Sequence, residues 1–239
     1  MRRCRWTLAA AVALVLLPQA APAGSLSVSP TTIEMPASGG VAVLYVVNHD
    51  ARQIMVQVEG FDWRQDNGHD RLDASQGLQI SPPMARLAPG QTQAVRVLIK
   101  PAVANMGERA FRLLISELPD PSSDDSEKVH IFLQFSVPVF AGSAPSARAK
   151  LSWDATLDKG NLRLTARNDG HSRAKLTELR LVTPSGKRVE IAPHSLTYIL
   201  AGANKTWSLH SIGEGDGQCS ELKQLPAKST GIFDPLAIV

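Results

Sequence analysis

The stretch Val129-His130-Ile131-Phe132-Leu133-Gln134-Phe135-Ser136-Val137-Pro138-Val139-Phe140 decides the fold. Its odd positions, Val129, Ile131, Leu133, Phe135, Val137 and Val139, are apolar without a break. A period of two places all six on one face of an extended chain, whereas a helix would scatter them round its axis. The run is the longest alternation in the sequence, and it predicts a strand.

Working outward, the other apolar runs are short and separated by turn residues. Leu26, Val28 and Ile33 alternate weakly around Pro30. Val41 to Val47 is almost continuously apolar between Gly39-Gly40 and Asn48-His49-Asp50, and reads as a central strand. Ile54, Val56 and Val58 alternate, with Phe61 and Trp63 expected to continue the same face after a shift near Gly60. Arg64 to Gly77 reads as a polar loop. Leu78 and Ile80, then Val95, Val97 and Ile99, then Phe111 to Leu118 complete the set, with Pro89-Gly90 as a turn. About seven strands between Gly24 and Phe140 fit one immunoglobulin-like sandwich.

After Phe140 the chain becomes small and flexible through Ala141-Gly142-Ser143-Ala144-Pro145-Ser146, the composition of a linker. Leu151–Leu157 and Asn161–Arg167 predict a hairpin around Asp158-Lys159-Gly160, and four shorter strands follow. The expected fold is all-β, with two immunoglobulin-like β-sandwich domains joined by a short linker: residues 24–142, and a smaller domain at 148–239. Pro235 stands where a regular closing strand is expected, which leaves the second sandwich poorly closed.

Residues 1–23 read as a secretion signal. Arg2, Arg3 and Arg5 precede an apolar run from Leu8 to Leu17, and Ala21-Pro22-Ala23 supplies small residues for cleavage. That run is too short to span a bilayer, so membrane insertion is not expected. The chain has 25 Lys+Arg against 22 Asp+Glu. The three signal arginines account for the difference, so the mature chain is neutral and offers no basic footprint for nucleic acid. Cys4 leaves with the signal, and Cys219 is then alone, with no partner for an internal disulfide.

The chemistry-bearing residues do not assemble into an enzyme. None of the 6 His sits at metal-ligand spacing from another ligand. No Gly-x-Ser-x-Gly elbow is present, Ser185-Gly186-Lys187 lacks the spacing of a phosphate loop, and Asp124-Asp125 lie in a polar run. The sequence implies no catalysis, no metal and no cofactor.

From Gly24 to Phe140 the chain resembles the periplasmic chaperones of the chaperone–usher fibre pathway. The resemblance rests on Leu26-x-Val28-x-Pro30, Val46-Val47-Asn48 and Ile80-Ser81-Pro82-Pro83. It continues through Arg86-Leu87-x-Pro89-Gly90-x-x-Gln93-x-Val95-Arg96, Phe111-Arg112-Leu113 and Glu117-Leu118-Pro119. It implies a periplasmic protein that binds pilus or fibre subunits and hands them to an outer-membrane usher, with a self-capping dimer as a further state. Such chaperones fill a groove in a subunit by donor-strand complementation. The implied donor residues are Val129, Ile131 and Leu133, with Phe135 to Val139 turned to the domain's own core. Better-known members hold the subunit's C-terminal carboxylate with an Arg in the first strand and a Lys late in the donor strand. Pro30 and Pro138 match those positions here, a departure that resembles the archaic branch. Arg96, Lys100 and Arg112 are the candidate replacement cations, since Arg can grip a carboxylate with two parallel hydrogen bonds. The rival reading is a structural β-sandwich module of a surface fibre or adhesion protein. It would need a missing strand or an apolar N-terminal extension, for which Gly24 to Val28 is too short.

Overall fold

The structure, a computed structural model, describes residues 26–101, 107–119, 131–142, 148–158, 161–177, 179–182, 188–192, 196–209, 228–229 and 233–234. Residues 1–23, Val129 and most of the linker lie outside these residues. Every regular element among the described residues is a strand.

The first body comprises β1 (Leu26–Ser29), β2 (Ile33–Met35), β3 (Gly40–Asn48), β4 (Ile54–Asp66) and β5 (His69–Ala74). β6 (Leu78–Ser81), β7 (Met84–Leu87), β8 (Thr92–Ile99), β9 (Arg109–Leu118) and β10 (Gln134–Ala141) follow. One sheet has the order β1-β3-β8-β6; the other runs β2-β10-β9-β4-β5, with β7 also on β4. The alternations place Leu44, Val46, Val95, Val97 and Ile99 from the first sheet against Val56, Val58, Leu113, Ile115, Val137 and Val139 from the second. All are buried, and this is the core of an immunoglobulin-like sandwich.

Two expectations are corrected here. The register of β4 on β9 runs without a shift from Met55↔Leu118 to Asp62↔Phe111. Period two therefore turns Phe61 and Trp63 away from the face of Val56 and Val58. Gly60 is instead a point of close approach: a Cβ there would stand 3.0 Å from both Leu78 Cδ1 and Ile80 Cδ1. The supposed loop from Arg64 to Gly77 is mostly strand, with β4 and β5 paired from Phe61↔Ala74 to Asp66↔His69. Asn67 (φ 51°) and Gly68 (φ 81°) close this hairpin in the left-handed region that a tight two-residue turn demands. β3 is the central strand expected, between β1 and β8; it is buried on one face, and Val41, Val43 and Tyr45 are exposed on the other.

The second body comprises β11 (Leu151–Asp158), β12 (Asn161–Asn168), β13 (Ala174–Leu176), β14 (Leu179–Val182), β15 (Arg188–Ala192), β16 (Thr197–Ile199) and β17 (Asn204–Leu209). Two-residue strands, β18 (Lys228–Ser229) and β19 (Phe233–Asp234), pair with β11 and β14. The hairpin of β11 and β12 pairs fully from Leu151↔Asn168 to Asp158↔Asn161.

The two bodies share a hydrophobic cluster. Trp63 and Phe140 of the first pack with Ala166, Leu176, Tyr198, Ile199 and Leu200 of the second. Tyr198 meets Trp63 edge-on at 5.9 Å between ring centroids and Phe140 at 5.2 Å.

Candidate functional site

β10 lies between β9 and β2, but its two sides are not equally covered. β9 pairs with it from Gln134↔Ser116 to Ala141↔Arg109. β2 joins in parallel only at Val139↔Ile33, Phe140↔Glu34 and Ala141↔Met35. Gln134 to Pro138 is thus an edge with no strand beyond it among the described residues. Pro138 sits on that edge one residue before β2 begins, where a missing N–H breaks no ladder. Ahead of β10, Leu133 O still accepts a hydrogen bond from Glu117 N at 2.9 Å, so the extended run starts before the regular strand.

The predicted donor residues separate along this run. Val137 and Val139 are buried in the core, and Phe135 and Leu133 pack against it while half-buried. Ile131 is 78 % exposed, and Phe132 beside it is also exposed. Val129 falls outside the described residues. An exposed isoleucine continuing the phase of a core strand is apolar surface without a covering layer.

The three candidate cations do not converge. Arg96 alternates with buried Val95 and Val97 on β8, so it points outward from the first sheet, beside exposed Val43 and Leu98. Lys100 follows β8, and its Nζ donates to Gln76 O at 2.9 Å. Arg112 alternates with buried Phe111 and Leu113 on β9 and points outward from the other sheet. A sandwich has two outer faces, and Arg96 and Arg112 are on opposite ones.

Only Arg112 faces the junction of the bodies. It pairs across to Pro138 of the open edge on one side and to Phe61 on the other. Its guanidinium lies 3.8 Å from the centroid of the Trp63 ring, a cation–π stack on an aromatic side chain of the junction. Nη1 lies 3.5 Å from Ser136 Oγ. Burial pushes its pKa down, opposed by the nearby charge of Asp70. It stays a cation and makes no ion pair among the described residues.

The junction is fixed by contacts that the sequence reading did not single out. Gln65 donates from Nε2 to Tyr198 O and accepts at Oε1 from Leu200 N, both at 2.9 Å, so its side chain pairs like a strand with the second body. Lys205 Nζ donates to Gly68 O at 3.1 Å. Arg173 donates to Glu34 and, from Nη1, to Glu108 Oε2 at 2.5 Å, while its plane lies over the Phe140 ring. The Asn67-Gly68 pair was the available signal for the hairpin that carries Gln65. Nothing in the sequence pairs Gln65 with Tyr198, which is 133 positions away. Among the described residues no group of three or more His, Cys, Asp or Glu is placed to hold a metal.

Together these features define a class: a two-body immunoglobulin-like protein with a half-open strand edge beside a cation at the junction of the bodies. Residues 25–145 match the family described as pili and flagellar-assembly chaperone, PapD N-terminal domain. That is half of the chain, and the chain belongs to this family. No curated protein matches by sequence. Among solved structures, the CsuC–CsuE chaperone–tip adhesion subunit pre-assembly complex from archaic chaperone-usher Csu pili of Acinetobacter baumannii is similar at TM-score 0.64 and 20% identity. The likeness covers 80% of this chain and 90% of that one. The Salmonella enterica SafA pilin complex with the SafB chaperone gives 0.56 at 18% identity, over 79% of this chain and 85% of that one. The E. coli chaperone DraB gives 0.54 at 17%, over 79% and 86%. These likenesses establish the shared two-domain fold.

Proposed function

We propose that the chain is a periplasmic chaperone that lends the front of β10 to an incomplete fibre subunit and delivers it to an outer-membrane usher. The observation that carries this reading is the open edge from Gln134 to Pro138, continued forward by exposed Ile131. An open edge presents unpaired backbone groups that a partner strand can match, and side chains at period two fill the partner's groove. Val129, Ile131 and Leu133 are the groove-filling residues in this reading. Fully burying an exposed isoleucine contributes about 2 kcal/mol before ordering costs.

Arg112 is the cation we assign to the subunit's C-terminal carboxylate. It stands beside the open edge, is half-buried and carries no ion pair of its own among the described residues. Arg96, on the opposite outer face, cannot share that carboxylate with it, and Lys100 Nζ is engaged by Gln76 O. The same edge would serve a second copy in a self-capped dimer. Backbone pairing and apolar burial need no cofactor and no catalytic group. Two similar structures, a chaperone with a tip adhesion subunit and a chaperone with a pilin, hold this kind of partner.

The test is co-purification from periplasm with a fibre subunit encoded beside the chain, comparing wild type with Ile131→Asp. Wild type is expected to hold the subunit one-to-one, and the charged variant to fold and lose it. A folded Ile131→Asp that retains the subunit sinks the donor-strand assignment.

A further inference from the structure

β5 ends the sheet β2-β10-β9-β4-β5 on the side away from β10. No strand lies beyond it among the described residues, and all of its residues are exposed, Leu72 at 40%. Just past its end, Ser75 N donates to Gly60 O at 3.1 Å. At period two before Ser75, Asp73 and Arg71 likewise turn their backbone groups toward β4. The N–H and C=O groups of Asp70, Leu72 and Ala74 therefore point out from the sheet edge. The charges of this hairpin stand in like pairs: Arg64 is opposite Arg71, and Asp62 is opposite Asp73. Like charges directly opposite are unfavourable. The bridges that relieve them run diagonally, from Arg64 to Asp73 and from Arg71 Nε to Asp66 Oδ2 at 3.1 Å.

An added antiparallel strand keeps the two faces of a sheet matched only if residues that point the same way lie opposite each other. When β5 meets the β5 of a second copy about a two-fold axis, the axis must therefore pass through a residue. An axis at Arg71 sets arginine against arginine, and an axis at Asp73 sets aspartate against aspartate. An axis at Leu72 sets Arg71 of each copy against Asp73 of the other, with the two Leu72 side by side. Each row across the joined hairpins then reads Arg64, Arg71, Asp73, Asp62, so every like pair ends on its opposite. We infer that β5 is a self-association edge that takes a second copy of this chain in the register centred on Leu72. Asp70, Leu72 and Ala74 supply the backbone ladder, and the two-fold pairing closes at a dimer. Edge charges commonly keep strands apart. Here their order is self-complementary. The β10 edge stays uncovered in this pair, which sets it apart from a self-capped dimer.

The experiment is sedimentation of the full mature chain at concentrations up to about 1 mM, because one strand pair makes a small, weak interface. Wild type is expected to dimerise. Arg71→Asp and Asp73→Arg each set like charges opposite and should each weaken the dimer about tenfold. The Arg71→Asp/Asp73→Arg swap should return it to within about twofold of wild type, which loss of a merely structural contact would not allow. In a Cys219→Ser background, Leu72→Cys should form a disulfide between copies, since opposed residues there stand about 5.5 Å apart at Cα. Ala74→Cys, which faces the Asp70 position, should not. Ile131→Asp, at the other edge, should dimerise like wild type. A chain that stays monomeric, a swap as weak as the single variants, or Leu72→Cys that cross-links no faster than Ala74→Cys overturns the proposal. Association that Ile131→Asp removes and Arg71→Asp leaves intact is pairing through β10 and also overturns it. So does a fibre subunit whose retention Arg71→Asp abolishes, which would make β5 a subunit surface.

Discussion

Asn48 and Asn168 close the same corner in the two domains. Each ends a long strand and is fully buried. Asn48 Nδ2 donates to Arg52 O at 2.8 Å and Leu87 O at 3.0 Å; Asn168 Nδ2 donates to Ser172 O at 2.8 Å and Ile199 O at 3.0 Å. Each Oδ1 accepts from the backbone two residues on, Asp50 N at 2.8 Å and Gly170 N at 3.0 Å. Each backbone carbonyl accepts from a glycine, Gly90 N at 3.0 Å or Gly202 N at 2.9 Å, with φ of 73° and 74°. No amino-acid repeat announces this symmetry; it is a repeat of hydrogen bonds.

Asn48→Ala and Asn168→Ala should therefore cost similar amounts, about 2 to 3 kcal/mol each, because several buried partners lose their bond at once. Urea unfolding midpoints measure this. Gly90→Ala and Gly202→Ala should each cost about 1 kcal/mol, for backbone strain alone, since nothing lies within 4 Å of the added Cβ. Gly170→Ala should cost much more, because its Cβ would stand 2.3 Å from Arg148 O.

Ile131 and Val137 share one phase of one extended run, yet their substitutions should separate. Ile131→Asp is expected to leave the unfolding midpoint within about 0.5 kcal/mol of wild type, as for other exposed positions. Val137→Asp buries a charge in the core and should prevent folding. Equal destabilisation by the two would mean that Ile131 is packed in solution.

Glu108 has a side chain only 1% exposed, and its carboxylate meets Arg173 across the junction. Its second oxygen, Oε1, accepts from Arg173 N at 3.0 Å. Glu108→Ala removes the buried one of two carboxylates on Arg173, which keeps Glu34, and should cost about 2 kcal/mol. Calorimetry should show the second domain melting earlier; a single unshifted transition would count against the junction's role.

Asp169 ties the chain's entry into the second domain, its N–H donating to Lys150 O at 2.8 Å. The hydrogen bond from Arg167 holds its carboxyl below the usual carboxylate range, with Ser152 adding to the effect. A depressed folded pKa gives stability that is present above the unfolded value, about 4, and lost as pH falls through the folded one. Exposure screens this contribution. Asp169→Asn should shallow the acid limb of the stability curve below about pH 4 and leave the alkaline side unchanged; an unaltered acid limb would exclude the effect.

Much of the first sandwich was legible, because each core strand repeats apolar residues at period two and the turns carry Pro or Gly. The β5 strand was not: all six of its residues are exposed, so nothing marked it except the Asn67-Gly68 turn. Trp63 was assigned to the wrong face because an apolar residue near a strand end suits either side. Only the second domain, remote in sequence, shows which one needs it. Of the candidate cations, Arg112 became distinct from Arg96 only once the two sheets were assigned.

β2 meets β10 at Val139 and goes no further. A guest strand sliding along the open edge from Ile131 must stop there, after eight residues or about 26 Å of extended chain. The fold is in this sense a ruler. If the proposed edge takes a subunit strand, it sets how far that strand can advance and gives it one register in which its last residue would arrive beside Arg112.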